Sequence, residues 1–148
     1  MQDNHEAQHN REASAYWALR IALGVVPIVA GLDKFTNLLV DWERYLSPLA
    51  LRVLPVDPAV FMRAAGVVEV AVGLGILLGY SRVFGWIAMG WLAAIALDLV
   101  TTGQYLDVAA RDLVMATGAY ALARLAPARE SSRSDAREDR PRPAGARA

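Results

Sequence analysis

The sequence predicts an all-α integral membrane protein, a four-helix bundle flanked by polar terminal arms. Two observations carry this reading: the segregation of polar from apolar residues, and the length of the apolar runs. Residues 1–15 (MQDNHEAQHNREASA) are polar. Residues 127–148 hold six arginines, four acids and three prolines, and no aliphatic side chain larger than alanine. Such a tail cannot bury enough apolar surface to offset its ordering entropy, so it reads as disordered. Between the arms lie 111 residues that contain nearly all the hydrophobicity.

That middle resolves into four apolar runs, at residues 16–34, 59–79, 83–101 and 108–126. Each is 19 to 21 residues long. About 20 residues at 1.5 Å per residue cross a hydrocarbon core of ~30 Å. A soluble four-helix bundle would put a polar face opposite each core stripe. Val83–Leu97 carries no charge, and the second run has only Arg63 and Glu69. A chain of 148 residues cannot hide four such helices from water. The first run is too long for the h-region of a signal peptide and is expected to stay as a spanning helix.

The elements follow in order. In the first run, Pro27 cannot donate to the carbonyl of Leu23, so a kink is expected there. The connection Phe35–Pro58 is long, 24 residues, and mixed. Leu38, Trp42 and Leu49 recur in it at near-helical spacing, which suggests that part of Asn37–Leu54 lies as an amphipathic helix on the membrane surface. In the second run Ala71, Gly75 and Gly79 form a small-xxx-small ladder, with Gly66 and Gly73 on a neighbouring face near Glu69. Tyr80–Arg82 is a short turn. In the third run Trp91, Ala94, Asp98 and Thr101 share a face. Thr102–Asp107 is a short polar loop before the fourth run.

Four spans put both termini on one side. That side holds Arg11, Arg82, Arg124, Arg129, Arg133 and Arg137, against Lys34, Arg44, Arg52 and Arg111 on the other. The bias predicts a multi-pass protein of the cell membrane with cytoplasmic termini. Single cysteines at Ser47 and Ser132 are natural reporters of that topology.

Composition removes several function classes. The chain has no cysteine, so disulfides, zinc fingers and thiol chemistry are excluded. Fifteen basic residues balance fifteen acidic ones, which argues against a nucleic-acid partner. Both histidines, His5 and His9, lie in the N-terminal arm, so no metal site is expected in the spans. Gly73, Gly75 and Gly79 superficially imitate a dinucleotide-binding glycine pattern, but they follow no strand.

Charges within the spans are costly, ~2.5–3.5 kcal/mol each on insertion scales, so their positions carry information. Asp33 and Lys34 end the first span. Arg63 lies about four residues, ~6 Å, into the second, and Glu69 near its middle. Asp98 closes the third, and Arg111 and Asp112 open the fourth. Antiparallel helices gather these seven in one half of the bundle, where they form the candidate polar site. Glu69 is too short to snorkel, so it is either a partner of Arg63 or of a residue on the first or fourth helix, or a ligand-binding group. Arg20 is the exception, near the opposite end, where it can reach the interface.

Three stretches resemble the DoxX family of small four-span membrane proteins: Leu19–Phe35, Gly66–Gly79 and Ala110–Ala123. Arg20, Gly24, Gly31 and Lys34 match the family's arginine–glycine–glycine–lysine pattern. Glu69 and Gly73 match its glutamate and glycine, and Asp112 a frequent aspartate. Pro27 departs from it, since phenylalanine is common there. The plan is also similar to membrane thiol oxidoreductases of the vitamin K epoxide reductase type, which use cysteine pairs that this chain lacks. The missing cofactor ligands and the short length suit a membrane subunit or scaffold of a redox-related assembly, without catalytic activity of its own. The resemblance implies the alternative of a quinone-linked component, with Glu69, Lys34 and Asp112 around the ring, and Glu69 alone raises that of a small transporter or proton path. Quinone is then the cofactor to consider. The implied partners are the bilayer, a soluble or membrane redox protein, and a second copy of the chain.

Overall fold

The computed structural model describes residues 2–53 and 56–138. The described residues form five α-helices and one 3₁₀ turn: α1 (Gln2–Thr36), the turn Trp42–Tyr45, α2 (Pro48–Val53), α3 (Pro58–Leu77), α4 (Ser81–Thr102) and α5 (Leu106–Glu138). The described residues contain no strand. The architecture is the all-α bundle expected.

Local chemistry sets the helix ends. Pro58 occupies the first turn of α3, where its missing N–H costs nothing, and the Asp57 side chain accepts from the N–H groups of Ala59 and Val60. At the other end Gly79 adopts φ +111°. The Gly79 N–H donates to the Ile76 carbonyl and the Tyr80 N–H to the Gly75 carbonyl, a Schellman closure that needs glycine at this left-handed position. Gly103 (φ +66°) ends α4 in the same region.

Two antiparallel pairs build the bundle. α1 packs along α3, and α4 along α5; contacts between the pairs are sparser. The α1–α3 seam is set by glycine. A Cβ on Gly31 would lie 2.5 Å from the Gly66 carbonyl oxygen, and one on Gly66 would lie 2.6 Å from the Gly31 oxygen. Gly73 meets the Gly24 carbonyl in the same way. The two backbones therefore touch, as small residues permit in membrane helices. The α4–α5 seam is close at Gly85, whose Cβ would sit 2.9 Å from that of Ala123. A core of Tyr16, Leu23, Val72, Ile76, Ala88, Ala119, Leu122 and Ala126 joins the pairs. A smaller cluster of Ala96, Leu99 and Ala109 lies under Tyr45 and Tyr105 at the loop end.

Outward faces are apolar. Val25, Val29, Val60, Val67, Leu74, Val83, Trp86, Ile87, Leu97 and Val114 are all exposed. Three helical segments are long and apolar enough to cross a membrane: Asn10–Thr36, Pro58–Leu77 and Ser81–Thr102. α5, the expected fourth span, is not among them. Its apolar stretch carries Arg111, Asp112 and Arg124.

The structure refines several expectations. Residues 2–15 of the polar arm form the first turns of α1, which contains Pro27 within it. α5 continues through Pro127 to Glu138, and residues 139–148 of the expected disordered tail lie outside the described residues. Within the long connection the helical parts are the 3₁₀ turn and the short α2, separated because Pro48 starts a new helix rather than continuing one. The Ala71–Gly75–Gly79 ladder is not a helix-packing stripe. Ala71 is exposed, Gly75 receives the Phe84 ring, and Gly79 makes the turn. Gly66 and Gly73, on the neighbouring face, hold the seam.

Candidate functional site: a buried ion pair under a tryptophan

Close approach of α1 and α3 decides the site. With no Cβ at Gly31 and Gly66, Lys34 in the last turn of α1 is carried against the middle of α3. Its Nζ donates to Glu69 Oε2 at 2.6 Å. Both side chains are buried, 6% and 10% exposed. The partner of Glu69 is thus on the first helix, one of the alternatives left open, and is not Arg63. The Trp42 ring covers the cation, with its centroid 3.6 Å from Nζ. The pair is desolvated on one side by helix packing and on the other by an aromatic face, where a cation–π contact adds attraction.

Asp33, the preceding residue, fastens the cover. One carboxylate oxygen, Oδ1, accepts the N–H groups of Leu38 and Leu39, each at 3.0 Å. The other, Oδ2, accepts Val40 N–H at 3.3 Å and the Trp42 indole N–H at 2.8 Å. The chain reverses here through Asn37 at φ +50°. Asp33 and Lys34 therefore grip the same tryptophan, one by hydrogen bond and one by charge. Trp42 was legible only as an apolar residue in a mixed loop.

Asp98 is committed to a second clasp. It accepts the hydroxyl and the backbone N–H of Ser47, and the same hydroxyl accepts Ala50 N–H at 2.9 Å. This ties the start of α2 to α4. Ser47 is fully buried, which rules it out as a labelling position.

The remaining members of the seven do not join the pair. Arg111 forms an i,i+4 bridge with Asp107 at 2.7 Å, with side chains 72% and 68% exposed. Such an exposed pair contributes little. Arg63 is exposed and, among the described residues, makes no ion pair or hydrogen bond. Asp112 is half-buried and electrostatically coupled to Glu69, Lys34 and Arg111. It has no hydrogen-bond partner among the described residues. The seven do share one half of the bundle, but they separate into a dry ion pair, two loop clasps, a surface bridge and two unpaired groups.

Two further polar features stand outside the seven. Arg20, near the opposite end of the bundle, is held by the end of α3. Its Nε and Nη2 donate to the Ile76 and Leu77 carbonyls, at 3.1 and 2.6 Å, and its guanidinium lies 4.8 Å from the Trp17 ring centroid. It satisfies the Leu77 carbonyl, which the end of α3 leaves free, and adds a bond to that of Ile76, which already accepts from Gly79 and Ser81. Beside it Tyr16 donates to Ser81, which donates in turn to Ile76. The second feature is Trp91. Its indole N–H is buried without a partner among the described residues. Counting back from the Gly75–Phe84 contact along α3 and forward along α4 puts Trp91 near the depth of Glu69. The described residues contain no group of acids or histidines arranged to hold a metal ion.

Comparison with known proteins gives a family model, DoxX, that matches residues 15–103. The match covers more than half of the chain. This chain belongs to the DoxX family. A search of curated proteins and one of solved structures gave no match. The match runs from α1 to the end of α4 and stops short of α5. The DoxX resemblance read from the sequence now has a physical content. Arg20, Gly24, Gly31 and Lys34 all lie on α1, and each meets α3, at Ile76 and Leu77, Leu77, Gly66 and Glu69 respectively. Gly73 returns the contact to Gly24. Six of the seven matching residues are therefore one helix–helix seam, and the seventh, Asp112, faces its charge from α5.

Proposed function

We propose that this DoxX-family protein is a membrane subunit of a redox-related assembly, without catalytic activity of its own. The reading places it in a cell membrane with four spans, α5 being the fourth. Both termini are cytoplasmic and the connection between α1 and α3 lies outside. The arginine excess on the terminal side supports that orientation.

One observation carries the subunit reading: the conspicuous polar groups are spent on holding the fold. Asp33 fastens the loop, Lys34 and Glu69 neutralise each other, Asp98 holds Ser47, and Arg20 caps α3. Groups tied up in this way position surfaces rather than turn over substrate. The helical ends of α1 and α5, on the terminal side, are the docking elements for a soluble partner. Purification in mild detergent tests this. A redox enzyme should co-purify at fixed stoichiometry and be lost when residues 127–148 are deleted. A chain that runs alone and itself reduces or oxidises a quinone would overturn it.

A second reading has its own support. Asp112 is half-buried without a hydrogen bond, next to the Lys34–Glu69 pair, which suits a polar ligand such as a quinone head group. Co-extracted quinone retained by the parent and lost from Asp112→Asn would favour it.

A further inference from the structure

Beside the tryptophan cover lies a small cavity of about 30 Å³, lined by Lys34, Phe35, Asn37, Glu43, Ala59, Met62 and Arg63. It holds one water-sized group. Its charge pattern is unusual for a surface that meets lipid. Arg63 and Glu43 line the same cavity, yet neither pairs with the other or with another charged group among the described residues. Lys34 shares the lining with its charge already engaged by Glu69. The free charges at the mouth are therefore one cation and one anion.

Depth decides what meets them. Arg63 lies about 7 Å along α3 from Pro58, at 1.5 Å per residue. Exposed Val60 precedes it by nearly one turn, and exposed Val67 and Val68 follow about one turn deeper. In a protein whose helix α3 can cross a membrane, that is the boundary between acyl chains and headgroups. A guanidinium this near a helix end reaches headgroup level, and the phosphate of a phospholipid is the anionic group it meets there. Glu43 would repel a purely anionic headgroup but accepts from an ammonium.

We infer that the Arg63–Glu43 cavity is a binding site for a zwitterionic phosphoethanolamine lipid headgroup. One phosphate oxygen occupies the cavity and bonds to the Arg63 guanidinium, and the primary ammonium donates to the Glu43 carboxylate. Phosphatidylcholine has the same phosphate, but its trimethylammonium has no N–H to donate, so it binds less well. The site is separate from any partner surface at the termini and does not depend on the proposed role in a redox assembly.

The test uses the full chain in detergent, delipidated, with dioleoyl phosphatidylethanolamine added back and binding read by native mass spectrometry and by thermal stabilisation. The parent should retain this lipid over both dioleoyl phosphatidylcholine and dioleoyl phosphatidylglycerol. Arg63→Gln should weaken retention roughly tenfold or more, the loss expected for a charge-assisted hydrogen bond. Glu43→Gln should keep phosphate-dependent binding but remove the preference for ethanolamine over choline. Arg63 and Glu43 are exposed, so both variants should keep the parent's helical circular dichroism. Unchanged lipid retention in Arg63→Gln overturns the site. Equal or tighter retention of the glycerol lipid overturns the zwitterionic assignment. Displacement of the lipid by millimolar inorganic phosphate assigns the cavity to free anions and overturns the lipid assignment.

Discussion

Removing one member of the Lys34–Glu69 pair should cost far more than removing both. At 2.6 Å and an effective dielectric constant of ~20, the attraction is about 6 kcal/mol. Desolvation of two nearly buried ions offsets much of that, so the net contribution of the pair is small. A single removal is different, because it leaves an uncompensated charge at no smaller desolvation cost. For buried pairs that penalty is ~3–5 kcal/mol. Glu69→Gln keeps an oxygen that can accept from Nζ, so its cost should lie near the lower end, about 3 kcal/mol. Glu69→Leu should lie near the upper end. The double variant Lys34→Met with Glu69→Leu restores neutrality with side chains of similar volume. It forfeits only the cation–π contact with Trp42, worth ~1–2 kcal/mol when desolvated. The measurement is a double-mutant cycle on thermal or SDS-induced unfolding in a fixed detergent. By the scaling of soluble domains of this size, ~2–4 °C per kcal/mol, Glu69→Leu should lower Tm by roughly 10–20 °C and the double variant by less than half of that. A double variant as unstable as the sum of its parts would refute the coupling. A Glu69→Leu variant as stable as the parent would refute the dry ion pair itself.

Three further outcomes are expected. Gly66→Ala places a methyl 2.6 Å from the Gly31 carbonyl oxygen, so α1 and α3 must separate by several tenths of an ångström, and the cost should be about 2–3 kcal/mol in detergent unfolding; Gly90→Ala, with nothing within 4 Å, should be neutral or slightly stabilising. Asp33→Ala removes the acceptor for three backbone N–H groups and the Trp42 indole, and should release residues 37–45 at a local cost of about 2–3 kcal/mol, read as a red shift in tryptophan emission and faster proteolysis in that segment with helical content unchanged. For topology, single cysteines at exposed Asp41 and exposed Ser14 replace the buried Ser47 and the tail serine, and an impermeant maleimide should label intact cells at Asp41→Cys alone; labelling at Ser14→Cys alone would invert the orientation.

The sequence made the helices legible because their signal is long-range within a segment: apolar runs of fixed length, ended by Asp57–Pro58 and by Gly79. It also placed the charged residues in the correct half, since antiparallel packing makes depth a matter of counting along each helix. What it could not give was azimuth. Glu69 points at Lys34 rather than Arg63 because Gly31 and Gly66 bring one face of α3 against α1, and depth alone does not distinguish faces. The same ambiguity assigned the packing stripe to Ala71, Gly75 and Gly79 when Gly66 and Gly73 hold it. The roles of Trp42 and Ser47, and the carbonyl partners of Arg20, were not legible for another reason. Each acts by a contact distant in sequence, or by a turn whose shape depends on Asp33 and Asn37, and periodicity carries no trace of either.

The two helix pairs solve the packing problem with different chemistry, and that contrast explains why Asp112 stands out. Along α1 and α3, bare glycine backbones meet, and a buried ion pair and an arginine cap sit at opposite ends of the seam. Along α4 and α5, alanines and Gly85 meet, and α5 supplies Ala109, Ala116, Ala119, Ala123 and Ala126 as its buried face. An alanine face needs no polar partner and offers none. Asp112 lies on that helix but within the field of the other pair, coupled to Lys34 and Glu69. Lys34 is already neutralised by Glu69, so a second carboxylate in this region adds a charge that the seam does not require. A carboxylate whose only role was to hold the fold together would be bonded as Asp33 and Asp98 are, the first to donors of the loop that follows it and the second to Ser47 in the α1–α3 connection. Asp112 has no such donor, so its replacement by asparagine should leave thermal unfolding in detergent nearly unchanged; a loss of stability as large as that of Glu69→Leu would show that Asp112 holds the fold after all.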